Sequence, residues 1–271
     1  MHPILFKIGF LSFKTYGFFL ALSFLSGYFL LLKKITREGF ASNEEVNKLF
    51  LWIIISGIAG ARILYVIAEG GFDSGHPLAA LRLWEGGLHY FGGLVGAILS
   101  VVAFRLRHPS FKIWRFADAA APSLALGLAI GKLGCFSAGC CYGIPSEFPS
   151  LSVTFTDPDS LAVRGIPLVP VQLCESLTYA VIFFASQRAY SLWHSRREGE
   201  IFWWTVMFLS AARFALEFLR WDKKIFLGLH AGGLLSAFFV GVSAVFIFLI
   251  RKKRTAALPP ADNVRVESKK Q

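Results

Sequence analysis

Charge is scarce in this sequence. Only 17% of its 271 residues are charged, against the roughly 25% usual in a soluble domain, while 55% are apolar and 28 are phenylalanine. That imbalance argues against a water-soluble fold, which would have no means of hiding so much hydrocarbon. The first apolar run lacks a small-residue cleavage site and leads straight into Lys33 and Lys34. It is therefore expected to stay in place as a first helix rather than to act as a secretory signal. There is no fixed-period repeat, which argues against a solenoid, and no polar stretch large enough to hold a separate core. The expected organisation is one polytopic membrane domain over residues 1–254 and a polar, disordered cytoplasmic tail over 255–271.

What the sequence does contain is apolar segments of membrane length. A helix needs about 20 mostly apolar residues to cross a bilayer. Such runs lie at Tyr16–Leu32, Leu49–Ala68, Leu88–Phe104, Ala117–Ala138, Val171–Trp193, Ile201–Leu219 and Leu229–Ile250. The expected fold is thus an all-α integral membrane protein of about seven transmembrane helices.

The net charge of +11 lies in the loops. Lys33, Lys34, Arg37 and Lys48 follow the first run. Arg105, Arg107, Lys112 and Arg115 follow the third, Arg188, Arg196 and Arg197 the fifth, and Arg251, Lys252, Lys253 and Arg254 the last. Alternate loops carry only Arg82 and Arg164, so the positive-inside rule puts the N-terminus outside and the C-terminus in the cytoplasm. The charge serves topology and gives no reason to expect nucleic acid as a partner. Arg220, Lys223 and Lys224 break the pattern, being cations on the translocated side. Two readings stay open for them: an anionic ligand or lipid headgroup, or charges that after six spans no longer affect insertion. The Cys140 to Pro170 segment, with four prolines, reads as an outer loop with short strands such as Ser152–Thr156.

Ionisable groups inside a membrane span cost several kcal/mol unless paired or hydrated, so each is a functional candidate. In the sixth run Arg213, Glu217 and Arg220 fall at offsets that share one helical face, with net positive charge. In the second run Arg62, Tyr65 and Glu69 do the same. Lys132 stands among Gly127, Gly131, Gly134, Gly139 and Gly143, which permit close backbone approach and suit a phosphate. His89 and the pairs Gly86-Gly87 and Gly92-Gly93 open the third run, where a bent entry is expected and where His89 is a candidate base. Cys135, Cys140, Cys141 and Cys174 leave three readings open: ordinary packing, an outer disulfide, or a four-thiolate metal site. The C-x4-C-C spacing matches no standard metal pattern and favours the first two.

These residues carry a resemblance that covers nearly the whole chain. Thr15-Tyr16-Gly17, Ala61 to Val66, Leu83 to Gly87, Gly92 to Gly96, Ala121-Pro122, Gly131 to Gly143, Pro170 to Glu175, Arg213 to Arg220 and Leu235-Ser236 stand in one order. In that order they resemble the bacterial prolipoprotein diacylglyceryl transferase family. The resemblance implies an enzyme of the bacterial cytoplasmic (inner) membrane that moves the diacylglyceryl unit of phosphatidylglycerol to the lipobox cysteine of preprolipoprotein signal sequences. It implies that Arg213 and Lys132 hold the phosphate and that Glu217 orients Arg213. Arg220 and Arg62 add positive field, while Tyr16, Gln172 and Glu175 line the pocket together with Gly92, Gly93 and Gly143. No metal or cofactor is required.

The sequence departs from the family pattern where chemistry is expected. Lys132 stands for an arginine, Cys135 and Ala138 for asparagines, Cys140 for a glutamate, and Phe91 for a histidine. Lys132 keeps the charge and loses the bidentate fork. His89 can take the place of the missing histidine only if the backbone there is irregular, because on a regular helix it faces about 200° away from Phe91. Two other functions remain open from sequence: a diverged relative that binds phospholipid or uses another acceptor, and a transporter.

Overall fold

The computed structural model describes residues 2–8, 11–68, 87–192, 197–221 and 231–256. Among these, seven α-helices are present: α1 (Thr15–Glu38), α2 (Asn43–Ala68), α3 (Tyr90–Arg107), α4 (Ile113–Ala138), α5 (Val171–Leu192), α6 (Glu200–Glu217) and α7 (Ala231–Ala256). Each coincides with one of the seven apolar runs. Five of them, α1 to α4 and the Ala231–Lys252 part of α7, are long and apolar enough to cross a membrane. Helices α5 and α6 are less apolar because they carry Gln172, Glu175, Gln187 and Arg188, and Glu200, Arg213 and Glu217, respectively.

Two small antiparallel sheets accompany the helices. Strand β1 (Ile4–Ile8) pairs with β2 (Leu11–Lys14), and the rings of Phe6 and Phe13 stack across the pair at 4.5 Å. Thr15 closes this hairpin onto α1 by donating its N–H to the Pro3 carbonyl at 2.9 Å. The second sheet, β3 (Val153–Thr154) with β4 (Pro167–Leu168), lies inside the segment expected to hold short strands. It encloses a small core of Phe155, Ala162 and Leu168.

The chain forms two compact units, Leu32–Phe116 and the remainder. Within the Leu32–Phe116 unit, Ser42 and Glu45 form a reciprocal capping box at the start of α2: the Ser42 N–H donates to Glu45 Oε2 at 2.9 Å and the Glu45 N–H donates to Ser42 Oγ at 3.1 Å. Helices α2 and α3 then meet along a glycine seam. A Cβ on Gly92 would stand 2.2 Å from the Gly60 carbonyl oxygen, and one on Gly96 would stand 2.2 Å from that of Ser56. Gly93 faces Gly57 in the same way. Small residues at this spacing let helix backbones touch where lipid offers no hydrophobic drive for association.

In the other unit the first part of α1 runs along α4. Gly27 meets Ser123, Gly127 meets Ser23, and Gly134 takes the side chains of Phe19 and Tyr16. Buried Asp118 on α4 accepts the N–H groups of Gly199 at 2.7 Å and Phe202 at 2.9 Å. It thereby satisfies donors left over at the start of α6 and places an anion at the positive end of that helix. Helices α6 and α7 are joined by stacking of Trp203 on Phe246 at 4.3 Å and by the Arg251–Glu200 ion pair at 3.3 Å. Ala125, Ala129, Tyr179 and Leu209 form the core between α4, α5 and α6.

Candidate active site

The ends of three helices are laced together by main chain. After α4 the chain turns at Gly139, which has φ +77°. Gly139 donates to the Phe136 carbonyl and Cys140 to that of Cys135, the hydrogen-bond pair of a Schellman stop. The next residues run beside the end of α6 and the approach to α5. Gly143 donates to Val169 O at 3.0 Å, Ile144 to Leu219 O at 2.9 Å, and Trp221 to Tyr142 O at 3.3 Å. Only glycine fits at 143, because a Cβ would lie 2.6 Å from Val171 Cγ2 and 2.7 Å from both the Leu219 and Val169 oxygens.

This lacing corrects one expectation. Helix α6 ends at Glu217, so Arg220 does not share a helical face with Arg213. It reaches the same place from an extended bridge to Gly143.

On this frame an ionic cluster assembles around Glu175, which is 0% exposed. Lys132 Nζ from α4 stands 2.6 Å from Glu175 Oε2, Arg213 Nε from α6 stands 3.4 Å from Oε1, and Arg220 Nη1 stands 3.8 Å from Oε2. Arg213 also pairs with the buried Glu217 four residues on, whose other oxygen accepts the Gly233 N–H at 2.9 Å. Gly232 and Gly233, at the start of α7, leave room for this. A Cβ on Gly232 would lie 2.5 Å from Arg213 Nη2, and one on Gly233 would lie 2.8 Å from Glu217. Gln172, fully buried, donates Nε2–H to the Cys140 carbonyl at 2.7 Å, and Ser176 Oγ donates to Ala129 O at 2.8 Å.

Three cations thus face two carboxylates, leaving the cluster one positive charge in excess. Moving charges out of water is costly, and removing one partner of such a pair costs about 3–5 kcal/mol. The side chains of Lys132 and Arg213 remain 16% and 19% exposed, whereas Glu175 and Glu217 are sealed. A cationic, partly open face backed by buried carboxylates can hold an anion and stabilise negative charge that develops there.

Of the residues singled out in the sequence, the structure brings together Lys132, Gln172, Glu175, Arg213, Glu217, Arg220 and Gly143, with Tyr16 against Gly134 on α4. Arg62, His89, Gly92 and Gly93 belong to the Leu32–Phe116 unit. There Arg62 donates to the Gly87 carbonyl at 3.1 Å and lies over the Tyr65 ring. Gly92 and Gly93 are occupied by the α2–α3 seam. His89 precedes α3 in an extended conformation, with its N–H on Ala61 O at 3.0 Å and its ring 5.4 Å from that of Phe91. The irregular backbone that a substitute histidine requires is therefore present. Glu69, Trp84, Glu85, Lys223 and Lys224 lie outside the described residues, as does the tail from 257 onward. Gly232 and Gly233 are not among the residues singled out from sequence, although a diglycine in the first turn of the last apolar run is a legible sign of close approach.

The cysteines are all free thiols, so the disulfide reading does not hold in this structure. Cys135, Cys140 and Cys141 gather with their sulfurs within 4.8 Å of one another, and Cys174 stays apart on the exposed face of α5. Cys141 has φ +62°, unusual for a non-glycine residue. Its thiol is held well below the ordinary range by hydrogen bonding from Cys135 and Cys140 and by the positive charges of Lys132 and Arg220.

Comparison with known proteins bears directly on this arrangement. The sequence model of the family described as Prolipoprotein diacylglyceryl transferase matches residues 3–249. The chain is 30% identical over 255 residues to a protein of Clostridium perfringens named phosphatidylglycerol–prolipoprotein diacylglyceryl transferase 2, covering 93% of this chain and 96% of that one. The similarly named protein of Geobacter sulfurreducens is 32% identical over 233 residues, 85% of this chain and 86% of its own. That of Bordetella avium is 30% identical over 264 residues, with 95% and 97% covered. With the match running from the β1–β2 hairpin to α7 and through every residue of the ionic cluster, this chain belongs to the prolipoprotein diacylglyceryl transferase family.

Proposed function

We infer that this protein transfers the diacylglyceryl group of phosphatidylglycerol to the lipobox cysteine thiol of preprolipoproteins, the first step of lipoprotein maturation. The observation that carries this reading is the convergence of Lys132, Arg213 and Arg220 on buried Glu175, inside a chain that matches the family along nearly its full length.

In the reaction a sulfur–carbon bond forms to the glycerol carbon as the bond from that carbon to the phosphate oxygen breaks. The phosphate departs with the electron pair as glycerol phosphate, and the proton given up by the thiol passes to that departing phosphate or to water. The thiolate is the attacking form, and the charge that grows on the phosphate is what the site must stabilise. Lys132 and Arg213 contact the phosphate through their accessible ends, and Arg220 adds field from behind. Glu217 and the Gly233 N–H hold Arg213 in place, Glu175 sets the spacing of the three cations, and Gln172 fixes the loop that carries Cys140. Tyr16 lines the approach from α1. His89 and Arg62 are assigned no step.

Both substrates are membrane-embedded, and the architecture supports working among lipids. Helices α5 and α6 are read as spans six and seven in number with the five apolar helices, since Leu177, Val181 and Phe184 on α5 and Phe208 on α6 point outward. The cations that follow the first, third and last apolar runs in the sequence support cytoplasmic loops there and an outer N-terminus, the reading expected for a bacterial inner-membrane protein.

The test is complementation. The chain is expressed in a cell depleted of its own diacylglyceryl transferase, and lipidation of a reporter prolipoprotein is followed by its mobility shift and label incorporation. Lipidation is expected; its absence in cells where the chain is correctly inserted would overturn the reading.

A further inference from the structure

The cysteine cluster has no part in the transfer just described, yet the fold goes to some length to assemble it. Cys135 and Cys140 are the third-last and second-following positions of the Schellman stop around Gly139, and that motif characteristically brings these two side chains together. The C-x4-C spacing is therefore the spacing of the stop itself. Cys141 then takes a left-handed conformation, at a cost of order 1 kcal/mol for a non-glycine residue, and brings in the third sulfur.

The three sulfurs already lie within 4.8 Å of one another. Three thiolates around one ion at a metal–sulfur distance of about 2.3 Å stand about 4 Å apart. Movements of well under 1 Å, on the order of ordinary side-chain adjustment, would close the site. All three side chains are half-buried, so the donors are screened but reachable.

We propose that Cys135, Cys140 and Cys141 form a three-thiolate binding site for a soft, thiophilic cation, with Cu(I) the best match. Thiolate-only donors select such ions over hard ones. Zn(II) would have to complete its four-coordinate shell with water, since among the described residues no histidine, carboxylate or further thiol joins the three, whereas three thiolates satisfy Cu(I) outright. Binding is a simple exchange: the ion enters as Cu(I) and stays Cu(I), and each thiol that coordinates releases its proton to water. The site does not depend on the transfer reaction.

The experiment uses the full chain in detergent micelles, reduced and with all thiols titratable. Cu(I) is supplied from a competing chelator, and Zn(II) is tested separately at matched free concentration. The expected result is one Cu(I) per chain, a sulfur-to-copper charge-transfer band, and an X-ray absorption spectrum showing three sulfur neighbours. Cys135→Ser, Cys140→Ser and Cys141→Ser should each weaken uptake at least tenfold, and Cys174→Ser should leave it unchanged. Should a serine variant fail to fold, the sulfur count on the wild-type protein decides alone. Substoichiometric uptake, fewer than three sulfur neighbours, loss of uptake in Cys174→Ser, or preference for Zn(II) would each overturn the proposal.

Discussion

Gly233 donates its backbone N–H to the Glu217 carboxylate at 2.9 Å, from the first turn of α7 to the last turn of α6. The contact joins a main-chain donor to the carboxylate that pairs with Arg213, so the position of that guanidinium depends on a glycine that has no chemistry of its own. The absence of a side chain is what makes the approach possible.

Gly233→Ala tests that dependence. Its Cβ would meet the Glu217 side chain at 2.8 Å and push the carboxylate away from Arg213. Misplacing a catalytic group by about 1 Å can cost roughly 100-fold in rate. Transfer of labelled diacylglyceryl to a lipobox peptide is expected to fall by about that factor while the circular dichroism of the helices is retained.

Arg213→Gln is expected to abolish measurable transfer. It removes the proposed phosphate contact together with the partner of Glu217, and losing one such stabilising group typically costs about 100- to 1000-fold. Wild-type turnover in this variant would refute the role given to Arg213.

Lys132 separates charge from geometry. Lys132→Met should lower transfer about 100-fold, whereas Lys132→Arg should retain activity and reduce KM for phosphatidylglycerol, because a guanidinium grips a phosphate with two parallel hydrogen bonds. Steady-state kinetics in mixed micelles distinguishes the two.

Glu175 is the anion that keeps three cations together in a buried place. Glu175→Gln leaves the three cations with Glu217 as their one remaining carboxylate and should cost about 3–5 kcal/mol, read as a lowered unfolding midpoint in detergent. Combining it with Lys132→Met should destabilise by less than the two single changes added, since the pair interacts directly at 2.6 Å.

The α2–α3 seam makes a separate prediction about stability. Gly92→Leu would drive a side chain into the Gly60 carbonyl, which already lies 2.2 Å from where a Cβ would stand. Loss of folded protein in the membrane fraction is expected, at a cost of several kcal/mol by analogy with other overpacked sites.

Much of this protein was legible in its residue order. The seven apolar runs became the seven helices, because run length and hydropathy are local properties that need no partner to be read. Arg213 and Glu217 pair as their four-residue offset requires, since a helix turn fixes that geometry by itself. Short strands were expected and found in the segment after α4. The β1–β2 hairpin was not, because its strands are brief and run directly into the first apolar segment.

The sequence by itself determined which residues could not be ordinary: cations and carboxylates in apolar runs, glycines crowding Lys132, and cysteines clustered near Gly139. Only the tertiary structure decided who meets whom. It set Glu175 at the centre of the charges, brought Arg220 back by a strand-like bridge after α6 had ended, and gave Gly92 and Gly93 to a helix seam. It also changed the meaning of the C-x4-C-C spacing. Local periodicity reports the direction of a side chain on its own element, whereas burial of a charge depends on groups that arrive from other elements, and those are fixed only when the helix ends lock together.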